Sequence, residues 1–244
     1  MRREAVKYWN TIAHGGDGDA RDAVLAGFRS ERSFDEAGRE DAAHLVLPFV
    51  SATDTVMEIG CGLGRILKWV APLCRRAIGL DVSSEMLAKA RARLGDIPNV
   101  TLKRLPLTLQ IPLPSQSIDF AYFYHVSEHM DREDAFTVLT ETRRCLRTSG
   151  KALVQFSLIS HPDNQREFIK WARAGDPEGV RSRFYTETEA AALLEMVKLF
   201  PQMRLYIPGE FAVLVVKKDK RELGQMPLVK LPAIDRAIRA SRND

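Results

Sequence analysis

The sequence predicts an α/β fold: a doubly wound sheet, mostly parallel, finished by an antiparallel hairpin. Three observations predict it. From residue 54 onward, short apolar runs alternate with stretches of helical periodicity, the pattern of a parallel sheet covered on both faces. The first apolar run breaks into a glycine-rich turn, Gly60-Cys61-Gly62-Leu63-Gly64, and the second ends in an acid, Asp81. Near the C-terminus two apolar runs, MRLYI and FAVLVV, flank Pro208-Gly209, which reads as a hairpin.

The elements follow in order. In residues 1–50, Tyr8, Trp9 and Ile12 fall on one helical face. HGGDGD (14–19) is a flexible break, and 20–29 and 36–49 are helical again. Residues 54–60 form the first strand, and Ile66, Leu67, Val70 and Leu73 place a helix over 64–73. RRAIGLD (75–81) is the second strand. Ser83 is placed to cap a helix over 83–94, on which Leu87, Ala90 and Leu94 share a face. VTLKRL (100–105) is the third strand and 117–126 the fourth. Asp131 is expected to cap the next helix, which carries Phe136, Leu139 and Leu146 and stops near Gly150. Residues 151–158 are the fifth strand. A helix over 163–174 looks inserted, and Thr186 with Glu189 forms a capping box ahead of the run 190–199. With the hairpin, this makes seven strands.

A chain of 244 residues, 45% hydrophobic and 28% charged, is long enough to bury a core and too apolar to stay disordered. No uncharged run approaches the roughly 18 apolar residues of a membrane span, since Pro106, Pro112 and Pro114 break the longest, 105–118. The N-terminal MRREAVKYWN has no apolar stretch behind its arginines, so it is not read as a secretory signal. A cytoplasmic protein with no membrane contact is expected. Cys61, Cys74 and Cys145 show neither disulfide nor zinc spacing, and no metal is expected.

The formal charge of +4 lies entirely in residues 217–244, which hold eight Lys or Arg and four acids. The body is formally neutral, so only the tail could seek a polyanion such as RNA. The expected division is a helical cap or substrate region over 1–50, a core domain over 51–218 with a helical insert at about 159–185, and a basic tail over 219–244.

The glycines of the loop let the backbone turn sharply and approach a ligand. Asp81, 17 residues past Gly64, can accept hydrogen bonds from a ribose diol. Two cofactors share this geometry. A dinucleotide fingerprint would want a third glycine at position 65, which is Arg65, and Glu58 would repel a pyrophosphate. S-adenosylmethionine has no phosphate and carries an ammonium and a sulfonium, so an acidic strand end suits it.

EIGCGLG (58–64) followed by GLDVSSEML (79–87) resembles the first two motifs of class I S-adenosylmethionine-dependent methyltransferases, and SIDFAYFYHVSEH (117–129) resembles the fourth-strand motif of their small-molecule branch. The resemblance covers about residues 40–216. It implies a Rossmann-like sheet and S-adenosylmethionine as cofactor. By the same resemblance, Gly60, Cys61, Gly62 and Gly64 would line the methionyl and ribose side. Glu58 would help hold the amino group, and Asp81 the ribose. Val82 and Met86 would pack on adenine, and Tyr124 and His125 would pass beside the methionyl chain. The acid that usually follows the third strand is missing. Adenine would instead rest on backbone and apolar groups around Pro106.

The implied function is methyl transfer to an oxygen or nitrogen of a small-molecule acceptor. His125 and His129 are the candidate bases, because imidazole titrates near neutrality; His161 is a weaker candidate and Glu128 an outsider. The loop after the fourth strand lacks the N/D-P-P-Y/F sequence of amino methylation, and it lacks the cysteine that pyrimidine carbon methylation needs. An RNA methyltransferase using the tail, a cofactor-binding module without turnover, and a nicotinamide dehydrogenase are the alternatives. The tail could also join two copies into a homodimer. Tyr8 and Trp9 are expected to pack their helix onto the domain, the alternative being a helix that closes over the cofactor as the resemblance implies, and Phe168 and Trp171 to face either an apolar substrate or the core.

Overall fold

The computed structural model describes residues 3–25, 28, 30–175, 182–207, 210–216 and 228–230. Five parallel strands form the centre: β1 (Thr55–Ile59), β2 (Arg76–Asp81), β3 (Val100–Arg104), β4 (Ile118–Phe123) and β5 (Leu146–Ser157). Strand β7 (Glu210–Val216) pairs antiparallel with both β5 and β6 (Phe200–Ile207). The spatial order is β3-β2-β1-β4-β5-β7-β6-β8. The order reverses between β1 and β4, which leaves a crevice at the strand C-termini where α/β sheets bind ligands.

Seven of these strands match the expectation. The eighth, β8 (Leu228–Lys230), pairs parallel with β6 and comes from the segment read as a peripheral tail. The Pro208-Gly209 turn and the rest of the tail lie outside the described residues.

Strand alternation divides the core. Met57, Ile78, Leu80 and Phe123 face Val138 and Leu139 of α6 (Arg132–Cys145) and Leu193 and Leu194 of α8 (Glu187–Met196). Val56, Ala77, Phe120 and Tyr122 face Leu45, Leu67 and Val70 of the opposite layer. That layer includes α4 (Leu67–Val70) and α5 (Ser84–Leu94). A third cluster joins Ala13, Ala20 and Phe34 of α1 (Arg3–His14), α2 (Asp17–Val24) and α3 (Glu31–Asp41) to Leu63 and Met86. The N-terminal helices therefore sit on the glycine turn itself.

Polar contacts fix that seat. The Arg65 guanidinium is buried against Asp41, Lys68 Nζ lies 2.7 Å from Asp35, and Ser83 Oγ donates to Asn10 Oδ1 at 2.7 Å. Gly38 lets α3 come close, since a Cβ there would stand 2.5 Å from the Arg65 carbonyl oxygen.

Several element boundaries differ from expectation. The N-terminal break is only Gly15-Gly16; Asp17 and Asp19 open α2, where acids suit the helix dipole. The helix expected over 64–73 shrinks to α4 and a 3-10 turn at 71–73. Gly64 is left-handed (φ 73°) and Pro72 offers no N–H, so neither end can extend. Helix α6 stops at Cys145, because Leu146 already pairs with Ile118 in the sheet. Asp131 makes no side-chain cap; its carboxylate takes Arg183 Nε at 2.6 Å instead. Ser83 and the Thr186–Glu189 box cap as expected. Helix α7 (Pro162–Ala174) buries none of its residues, and Phe168 is 54% exposed, so it does not serve the core. Among the described residues no helix is long and apolar enough to cross a membrane.

Candidate active site

Strands β1 and β2 end side by side, and the turn after β1 crosses the end of β2. Gly60 and Cys61 both donate their N–H to the Leu80 carbonyl, at 2.7 and 2.9 Å. Gly60 has φ 70°, and a Cβ there would lie 2.4 Å from Val126 Cγ2. Only glycine serves at that point of close approach.

Asp81 organises the turn. Its Oδ2 accepts the Gly62 N–H and its Oδ1 the Ser83 N–H, both at 2.8 Å. Each oxygen keeps a lone pair for a further donor. Burial pushes the Asp81 carboxyl up, while the backbone donors of Ser83, Gly62 and Val82 pull it down.

Glu58 lies below the turn with 5% of its surface exposed, and its Oε2 has no hydrogen-bond partner. Burial pushes its carboxyl up to about 8; the Tyr122 phenol and the Arg65 guanidinium oppose the shift, and the nearby Asp81 adds to it. At neutral pH Glu58 is therefore mostly protonated until a cation arrives. The Cys61 thiol is pushed well up by burial, so it is no nucleophile.

The other half of the cleft follows β4. His125 is left-handed (φ 58°), and its N–H donates to Gln155 Oε1 at 3.0 Å. The Tyr124 and His125 rings lie 4.3 Å apart, and Trp9 of α1 meets His129 edge-on at 5.1 Å. Glu128 stands behind the histidines, its Oε1 at 3.4 Å from His125 Nδ1 and 3.8 Å from His129 Nε2. Burial raises the Glu128 carboxyl, but the His125 hydrogen bond, the His125 and His129 charges and the Ser157 hydroxyl outweigh it and hold it at about 2. Burial pushes His129 down, against the pull of Glu128.

One cleft, open at its mouth, gathers Glu58, Gly60, Cys61, Gly62, Asp81, Val82, Met86, Tyr124, His125 and His129. Two expected residues fall outside its lining. Gly64 turns to Leu94, and Pro106 is exposed one residue beyond Leu105, which does line the cleft. His161 caps α7 instead, accepting the Asp163 N–H. Phe168 and Trp171 do not line the cleft, whereas Trp9 does. Among the described residues no group of side chains could hold a metal ion.

Residues 57–154 match the family model described as a methyltransferase domain. A protein of Mycolicibacterium smegmatis described as a probable S-adenosylmethionine-dependent methyltransferase is 34% identical over 116 residues, 48% of this chain and 43% of that one. Residues 57–154 carry a methyltransferase domain.

The uncharacterized methyltransferase YcgJ of Bacillus subtilis is 26% identical over 67% of this chain and 64% of its own. Its crystal structure shares the fold, with a TM-score of 0.59 at 17% identity, covering 74% of this chain and 99% of that one. A chain from the complex of the Haloferax volcanii Trm112 methyltransferase activator with a methyltransferase superposes with a TM-score of 0.67 at 16% identity, over 86% of this chain and 98% of that one. The chain spans less than half the length of the first three curated relatives it matches, at 43%, 29% and 46%.

The cofactor of such a domain is S-adenosylmethionine, and the methyltransferase cleft fits it. The orphaned Glu58 oxygen is a buried acceptor awaiting a cation, and Asp81 has lone pairs to spare for a diol. Val82, Met86 and Leu105 offer an apolar seat for adenine.

Sequence reasoning passed over Gln155 and Ser157, which anchor His125 and Glu128. Their signal was two polar residues in an otherwise apolar strand, Val154-Gln155-Phe156-Ser157. It also left Glu128 at the margin of a group that Glu128 holds together.

Proposed function

We propose that the chain moves the methyl group of S-adenosylmethionine to an oxygen or nitrogen of a small-molecule acceptor. The observation that carries this reading is the juxtaposition, in one cleft, of the Glu58–Asp81 acid pair and the His125–His129 pair under Trp9. The first pair suits a cationic, sugar-bearing cofactor. The second suits an acceptor that must give up a proton.

The cofactor supplies an activated methyl group on a cationic sulfur. The chain's residues do the rest. Glu58 would ionise to hold the amino group, and Asp81 would accept the ribose hydroxyls. Trp9 and Met130 line the cleft with Val126 and exclude water from the reacting atoms, which strengthens each charge interaction there. Alignment of the acceptor supplies much of the rate in a displacement of this kind. His125 and His129, which line the same cleft, are the proposed bases. The helices of residues 1–50 act as the cap over this cleft, and Arg183 of the insert at about 159–185 braces the segment after β4, its N–H donating to the Glu128 carbonyl at 2.7 Å.

The test is transfer of a labelled methyl group to a panel of phenols, alcohols and amines. Label in an extracted small product, dependent on Asp81, is the expected result. Label found only in RNA, or no transfer to any acceptor class while the cofactor binds, would overturn the proposal.

A further inference from the structure

We propose that Arg65 is a cofactor-binding residue: its guanidinium takes the carboxylate of the S-adenosylmethionine amino-acid group, while Glu58 takes the amino group. The inference rests on the cofactor reading of the cleft and deepens it. Among the described residues that line the cleft, Arg65 is the one Lys or Arg, beside two acids, Glu58 and Asp81. The amino-acid group is a zwitterion. A cleft with acids alone would set its carboxylate against like charge.

The guanidinium is buried without being used up. The side chain is 5% exposed, and among the described residues its hydrogen-bond partner is Asp41 Oδ2, reached through Nη1. A guanidinium carries five N–H donors in a planar fork. Burying such a charge is costly unless its donors are met. The Asp41 pair meets the charge and leaves the other donors of the fork to a ligand at the cleft wall.

The fork is also held in place. Gly38 lets α3 close on the arginine stem, since a Cβ there would stand 2.8 Å from Arg65 Cγ. The Phe34 and Tyr124 ring centres lie 5.9 and 6.0 Å from the guanidinium carbon. Glu58 is near enough for the Arg65 charge to bear on its carboxyl, yet Glu58 Oε2 has no hydrogen-bond partner. Opposite charges therefore stand close together in one cleft. In an amino acid the ammonium and the carboxylate share one carbon, so neighbouring donor and acceptor groups match its two ends. A planar fork suits a carboxylate in particular, through two parallel hydrogen bonds. Asp41 ends α3 of the cap, so the residue that grips the cofactor is itself gripped by the cap.

The experiment is a calorimetric comparison, on the full chain, of S-adenosylhomocysteine with its decarboxylated analogue, which keeps the adenosine, the sulfur and the amine. With no cation to meet the carboxylate, a cleft holding Glu58 and Asp81 would favour the analogue, whose amine leaves it net positive. With Arg65 in that role, the native chain should prefer S-adenosylhomocysteine by roughly tenfold to a hundredfold. Arg65→Gln should reduce the preference to about twofold or less. Asp41→Asn breaks the same ion pair but keeps the fork, so it should retain the preference. A role confined to fastening α3 would weaken both ligands equally in Arg65→Gln and leave their ratio as in the native chain; that result would overturn the proposal. So would a native chain that binds the two alike or prefers the analogue. If Arg65→Gln fails to fold, the NMR signals of the Arg65 guanidinium in the native chain decide. They should shift further with S-adenosylhomocysteine than with the analogue, and equal shifts would count against Arg65. Binding of neither compound would end the cofactor reading and this inference with it, whereas equal binding of both ends the inference alone.

Discussion

The two halves of the cleft are built in opposite ways. The half proposed to hold the cofactor is local: Glu58, the glycine turn, Asp81 and Met86 all fall within one β-α-β-α stretch. Backbone groups do most of its holding, through the Leu80 carbonyl and the Gly62 and Ser83 amides. The half proposed to hold the acceptor is assembled from four distant segments, residue 9 on α1, 124–129 after β4, 155–157 on β5 and 183 beyond α7. Side chains do its holding. A half made of backbone suits a ligand shared by many proteins. A half made of side chains can change its acceptor without disturbing the turn.

The largest expected effect tests the cofactor half. Asp81→Ala removes charge-assisted bonds of about 1.5–3 kcal/mol. Affinity for S-adenosylhomocysteine should then fall roughly tenfold to a hundredfold. Calorimetry showing no change would separate Asp81 from the ribose and end the contrast between the halves.

The next effect is a pH dependence confined to that half. With its carboxyl raised to about 8, Glu58 is protonated in the free protein and must ionise to hold an ammonium. Binding therefore releases a proton, and affinity should tighten by up to about tenfold per unit as pH rises from 6 towards 8. Above about 8 the ligand's own amine deprotonates and the gain ends. The sign for stability is opposite. The folded state holds this proton more tightly than the unfolded chain, so the ligand-free protein should lose stability as pH rises from 4.5 towards 8. Glu58→Gln should flatten both curves. Melting and binding profiles that match the native ones in that variant would sharpen the account against Glu58.

How much of this was legible follows the same division. The cofactor half could be read because its residues are close in sequence and its glycines have few other uses. Asp81, Met86 and residues 60–62 line the cleft, and Gly64 does not. Pro106 did not, because the chain turns outward after Leu105 and the apolar contact falls one residue earlier. In the acceptor half His125 and His129 were legible as residue types, but their tether was not. Gln155 and Ser157 lie about thirty positions from the residues they hold. Trp9 could not be told from a packing residue, because only tertiary contact shows that its helix lies over the cleft.

The smallest effect probes the joint between the halves. Asn10→Ala removes one hydrogen bond to Ser83, worth about 1 kcal/mol. Amides of α1 should then exchange with solvent roughly fivefold faster, while those of β1 and β4 keep their protection. Uniform acceleration would mean that cap and sheet open as one unit.

The most direct measurement is a calorimetric titration of the full chain with S-adenosylhomocysteine and, separately, with NAD, each in two buffers of different ionisation heat. S-adenosylhomocysteine should bind at one site with net proton release, and NAD should neither bind nor compete. Saturable NAD binding that S-adenosylhomocysteine cannot displace would contradict a cleft shaped by two carboxyls for a phosphate-free cation.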